Sequence, residues 1–123
     1  MTVIPINLRQ LSGKSSLLTR ATADTIISCI GELEGSASTT IVLDLRGVIA
    51  ITPSFLDQLV GGLKRLATAR AMRPLSIRLL AMPTHASEKF AAVGRSHGLI
   101  LQERAASDWL LEEPDAGIDE SPR

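Results

Sequence analysis

The sequence predicts a small α/β fold, a mostly parallel four-stranded sheet with helices packed on it. Three observations predict it. The run Ile41-Val42-Leu43 is apolar at every position and stops at Asp44-Leu45-Arg46-Gly47, as expected of a strand buried on both faces and closed by a turn. The apolar period then changes. Phe55, Leu56, Leu59, Val60, Leu63, Leu66 and Ala67 recur at spacings of three and four, the stripe of a core-facing helix. Elsewhere strand-like and helix-like segments alternate with short links, which favours right-handed crossovers and parallel strands.

Residues 3–8 form the first predicted strand, and Pro5 argues for an edge or a strand start, because proline cannot donate to a ladder. Residues 9–16 are polar, include Gly13, and predict a loop. A helix follows from about Leu18, with Leu18, Thr22, Ile26, Cys29, Ile30 and Leu33 along one side. Gly35-Ser36-Ala37-Ser38 ends it and leads into the central strand from Thr40.

The second helix has the clearest start. Thr52 suits the N-cap, where its hydroxyl can accept from a free amide of the first turn. Pro53 suits the first helical position, where its missing N–H has no partner to lose. Ser54 then falls in the first turn, where free amides and the helix dipole favour negative charge. The helix closes near Arg70, with Lys64, Arg65 and Arg70 placed where cations are favoured. Gly61-Gly62 within it costs about 1 kcal/mol per glycine relative to alanine; close packing against a neighbouring backbone is the favoured reading, and a flat surface open to a partner is the alternative.

Residues 75–80 alternate as a strand after Pro74. Pro83-Thr84 opens a third helix with Ala86, Phe90, Val93 and His97 on its stripe, and Gly98 stops it. Leu99-Ile100-Leu101 is a short strand, and residues 107–111 predict a brief amphipathic helix that lays Trp109 over the sheet. Residues 1–111 are expected to form a single domain. Residues 112–123 are acidic, poor in apolar side chains, and expected to be a disordered tail. The predicted core holds Ile26, Ile30, Val42, Leu59, Leu63, Leu79 and Phe90.

The 123 residues suit one core, and 45% hydrophobic with 21% charged residues is ordinary for a folded chain. Thirteen basic residues balance thirteen acidic ones, so no global field draws nucleic acid or an anionic membrane. Two Phe, one Trp and no Tyr leave few platforms for stacking bases. No apolar run reaches the ~18 residues of a membrane span, and the start of the chain lacks the basic region of a signal peptide. With a single cysteine, Cys29, the expectation is a cytoplasmic protein without internal disulfides.

Several chemistries are excluded by spacing. Gly13-Lys14-Ser15 lacks the earlier glycine of a phosphate loop, since Leu8 stands five positions before Gly13. His85 and His97 are twelve positions apart with no cysteine or paired histidine beside them, so no metal site is expected. Cys29 sits on an apolar stripe, which suits a core cysteine better than a nucleophile. Ser54 lacks the flanking glycines of a serine hydrolase. The expectation is no catalysis, no metal and no cofactor. Asp44 and Arg46 close the central strand, and carboxyl ends of strands are where α/β folds bind ligands.

These same residues carry a resemblance. Asp44-Leu45-Arg46-Gly47-Val48, followed by Ile51-Thr52-Pro53-Ser54-Phe55-Leu56-Asp57-Gln58-Leu59, resembles the STAS-like family, small bacterial domains similar to anti-sigma-factor antagonists. The common pattern is a strand ending Asp-x-x-Gly-Val and a helix starting near Ser-Phe-x-Asp-Glu, with Gln58 here in place of the usual Glu. Thr19-Arg20-Ala21 is similar to that family's Ser-Arg segment. The order of elements extends the resemblance over residues 3–111; its specific part is residues 41–59.

The resemblance implies a non-enzymatic signalling module. In antagonists a serine or threonine at this helix start is phosphorylated by the anti-sigma factor, a kinase with a histidine-kinase-type ATPase fold. Ser54 is the corresponding candidate switch, with Asp44, Arg46, Thr52, Ser54 and Gln58 as partner-binding residues. Self-association is left open. Two other readings compete: a small-molecule, nucleotide or anion site between Asp44 and Ser54, and a structural subunit in which Ser54 is only a first-turn residue.

Overall fold

The computed structural model describes residues 2–32, 39–70, 75–83, 86–105 and 108–113. Strand β1 (Thr2–Asn7) leads into a five-residue helix, α1 (Leu8–Ser12). A two-residue strand, β2 (Ser16–Leu17), precedes α2 (Arg20–Gly31). Then come β3 (Thr39–Asp44), the short β4 (Ala50–Ile51) and α3 (Pro53–Ala69). The chain continues through β5 (Ser76–Leu80), α4 (Ala86–Ser96), β6 (Ile100–Ala105) and β7 (Asp108–Glu112).

The main sheet has five strands in the order β1-β3-β5-β7-β6. β1, β3 and β5 are parallel; β7 runs antiparallel to β5, and β6 antiparallel to β7. A separate parallel ladder joins β2 to β4. The predicted class holds, with helices and strands alternating, but the sheet is mixed and five-stranded rather than a mostly parallel four. The difference lies at residues 108–112. Pairing with the free edge of β5 satisfies the backbone of this segment and turns Trp109 and Leu111 toward the core. Trp109 sits opposite Leu79, and Leu111 opposite Ile77.

Register defines two rows across the core face, apolar except for Glu103 at the β6 edge. One is Ile4, Ile41, Ile77, Leu111 and Leu101; the other is Ile6, Leu43, Leu79, Trp109 and Glu103. α3 lies between α2 and α4 and buries Phe55, Leu56, Leu59, Val60 and Leu63. Its glycines mark close approaches. A Cβ on Gly62 would run into the Ile27 side chain of α2, and one on Gly61 would stand 3.1 Å from His97 Cε1. That is the close packing the glycine pair predicts, made here against side chains.

Ile26, Ile30, Leu59, Leu63, Leu79 and Phe90 all lie in the core cluster. Val42 is buried too, but it points to the other side of the sheet, outside that cluster. Residues 9–16 are not all loop. Asn7 caps α1 by accepting from Gln10 N at 2.8 Å, and Gly13, in the left-handed region at φ 73°, ends it. Leu18 is not on the α2 stripe. It precedes the cap Thr19 and is exposed, while Ala23, Ile26 and Ile30 make the buried face. Glu112 is the last residue of β7, and Glu113 Oε1 accepts from Leu75 N at 2.7 Å, so β7 and the bond that follows it lie past the boundary drawn at residue 111. The expectations placed on Leu33, on residues 35–38, on Pro74, Thr84, His85 and Ser107, and on the tail from residue 114 lie outside the described residues. Among the described residues no helix is long and apolar enough to cross a membrane.

Candidate functional site at the start of α3

The site is built where β3 gives out. Asp44 ends the strand and folds back on its own turn, Oδ1 accepting from Arg46 N at 2.9 Å and Oδ2 lying 3.3 Å from the Arg46 guanidinium. Gly47 turns the chain at φ 88°, where a Cβ would also stand 3.0 Å from Arg9 Cγ. Leu45 and Val48 are buried and pin the turn to the core. Ile49 between them and β4 has nowhere to go but outward, and is 74% exposed.

β4 then pairs with β2, and Thr52 fastens α3 to the segment entering α2. Its amide donates to Leu17 O at 3.1 Å and its hydroxyl donates to Leu18 O at 2.8 Å. The same hydroxyl accepts from Phe55 N at 3.2 Å, the predicted cap, with Pro53 next in the first helical turn. One side chain thus starts a helix and staples two helix entries together. Leu18, carried on this staple, is 48% exposed. Ser54 follows Pro53, exposed, and its hydroxyl has no hydrogen-bond partner among the described residues.

One turn further on, a polar belt crosses the helices. Arg20, the first residue of α2, donates to Asp57 Oδ2 at 2.9 Å and to Gln58 Oε1 at 3.2 Å. Gln58 Nε2 donates to Asp24 Oδ1 at 2.7 Å. The other Asp57 oxygen lies 2.8 Å from His97 Nε2, just past the end of α4, and Lys64 Nζ holds the His97 carbonyl at 2.5 Å. Hydrogen bonds from Arg20 first, and from His97 second, hold the Asp57 carboxyl below the usual carboxylate range.

A carboxyl whose pKa is depressed by folding stabilises the fold above its unfolded value, near pH 4, and loses that contribution as pH falls through the folded value. The Asp57→Asn variant is therefore expected to be less stable than the parent at neutral pH, with the gap closing below about pH 4. Melting temperatures from pH 7 down to pH 2 measure it, and a gap independent of pH contradicts the assignment. The effect is small, because both Arg20 and Asp57 face solvent.

Of the residues proposed from sequence, Thr52, Ser54 and Gln58 share the first turns of α3, with Gln58 tied to α2. Asp44 and Arg46 form a pair of their own. Among the described residues no hydrogen bond or ion pair joins that pair to Ser54 or Gln58. Sequence reasoning missed Leu18, Ile49 and the Arg20–Asp57–His97 connection. For Asp57 a signal existed, since it lies three positions from Ser54, within one turn of helix. Leu18 had one as well, in the cap-forming Thr19 that follows it.

Residues 31–74 of the 123 match the model of a family described as a STAS-like domain of unknown function (DUF4325). That segment, about a third of the chain, is similar to STAS-like domains. The match spans β3, the Asp44 turn, β4 and all of α3; Leu18, Arg20, Asp24 and His97, which complete this site, lie outside it. No curated protein and no solved structure matches the chain.

Proposed function

We propose that this STAS-like chain is a non-enzymatic binding module that docks a signalling protein on the surface around the start of α3, with Ser54 as its switch. The observation that carries this reading is the pair of exposed aliphatic side chains, Leu18 and Ile49, on either side of the stapled helix start. An apolar anchor ringed by polar groups is the usual anatomy of a protein interface. Here the ring would be Arg20, Asp24, Arg46, Ser54 and Gln58. The partner is an ATPase of the histidine-kinase type, as in the anti-sigma-factor antagonists that the STAS-like pattern resembles.

Phosphate on Ser54 would lie among the free amides of the first turn, which tolerates it, and would add about −1.5 to −2 charge at the docking surface. Fold stability is expected to change little while partner affinity changes greatly. The deciding experiment incubates the protein with a histidine-kinase-type ATPase encoded next to its gene and ATP, maps phosphate by mass spectrometry, and measures affinity before and after. Ser54→Ala is expected to bind and not respond, whereas Ile49→Asp is expected to bind at least about tenfold more weakly whether or not Ser54 is modified. Phosphate on another residue, or on Ser54 without a change in affinity, ends the switch. Unchanged binding by Ile49→Asp ends the docking assignment.

A further inference from the structure

Arg20 has donors to spare. Its Nη1 donates both to Asp57 Oδ2 at 2.9 Å and to Gln58 Oε1 at 3.2 Å, while Nη2 and Nε donate to nothing among the described residues. An arginine presents its donors in a flat fork, and one edge of that fork can grip a phosphate with two parallel hydrogen bonds. Gln58 is neutral and is itself held, its Nε2 donating to Asp24 Oδ1 at 2.7 Å. Arg20 therefore shares its charge with one bonded carboxylate, and its side chain stays 52% exposed.

Helix geometry fixes where that fork sits. Asp57 and Gln58 lie one turn along α3 from Ser54, about 60° to one side of it and about 40° to the other. A guanidinium that bridges the two crosses the line running up the helix from Ser54. Helical side chains also lean toward the N-terminus, and residues three or four apart stand about 5–6 Å from one another at Cβ. Arg20 is thus held over the Ser54 turn. Ser54 beneath it is exposed, with its hydroxyl unpartnered among the described residues.

We propose that Arg20 is the receptor, within this chain, for a phosphate on Ser54, an inference that rests on reading Ser54 as the phosphorylated residue. Transfer of the γ-phosphoryl group of ATP to Ser54 Oγ forms the ester bond, releases ADP and frees the hydroxyl proton. The phosphate then takes the Nη2–Nε edge of Arg20 while Nη1 keeps Asp57 and Gln58. Modification so changes the docking surface twice. It adds negative charge, and it withdraws the open edge of Arg20 from the polar ring that meets the partner.

The full chain made with phosphoserine in place of Ser54, so that no kinase is needed, tests this. Phosphorus NMR titration reads the second ionisation of the phosphate, at about pH 6 when unperturbed. A cation at hydrogen-bond distance favours the dianion, so Arg20→Gln is expected to raise that pKa by at least about 0.5 unit. The bridge is exposed, and the variants stay folded. Arg20→Gln/Asp57→Asn removes both charges of the bridge and is expected to keep most of the rise. Return of this double variant to the parent value overturns the proposal, because Arg20 then acts only by masking Asp57. Arg65→Gln removes an exposed cation on nearly the same line of α3, about 16 Å further along, and is expected to move the pKa by less than about 0.1 unit. A shift there equal to that of Arg20→Gln, or no shift with Arg20→Gln, also overturns it. With the phosphate installed during synthesis, a chain that no ATPase modifies fails the switch reading alone. A phosphate indifferent to Arg20 fails this inference alone.

Discussion

Leu59→Ala is expected to lower the stability of the fold by about 2–5 kcal/mol, the cost of removing buried methyl groups and leaving a cavity. Leu59 is 1% exposed on α3, the helix that lies between α2 and α4, with Leu56 and Leu63 buried above and below it. Neighbours held on three sides cannot all relax inward, which favours the upper part of that range. Urea melts measure it as a shift in midpoint with the slope unchanged. Leu59→Met, which nearly conserves volume, should cost less than about 1.5 kcal/mol and shows that size rather than identity is at stake. A loss below ~1 kcal/mol for alanine means that this side chain does not hold the core.

The stretch from β3 to α3 was legible because its signals are local. An apolar run, a turn glycine, a capping threonine, a proline and a period of three and four all act within a few residues of one another. The same locality explains the misses. An unbroken apolar run hides which residues face which side, so Val42 could not be told apart from its neighbours in β3. α1 has one buried residue, Leu8, too few to make a period. β7 is a strand because β5 offers it a free edge, a fact about topology rather than about the sequence of residues 108–112. At the site, Thr52 and Ser54 could be placed from their neighbours. The partners of Asp57 could not, since Arg20 and His97 are 37 and 40 positions away.

The polar side chain with the most structural consequence is Thr52, and Thr52→Val tests it with almost no change of shape. The valine keeps the methyl group and removes the oxygen. Phe55 N then loses its cap, at a cost of about 0.5–2 kcal/mol, and the Leu18 carbonyl loses a donor, at about 0.5–1.5 kcal/mol. The two losses come from one atom but fall on two segments, the start of α3 and the link into α2. Together about 1–3 kcal/mol is expected in denaturant melts. Thr52→Ser keeps the oxygen and should recover most of it. Amide exchange separates the two parts, since losing the cap speeds exchange at Phe55 and losing the staple loosens Leu18. Faster exchange at Phe55 alone would mean that the bond to Leu18 does not hold the helix entries together. The surface carrying Leu18 beside Ser54 would then rest on the β2–β4 ladder and the Thr52 amide instead.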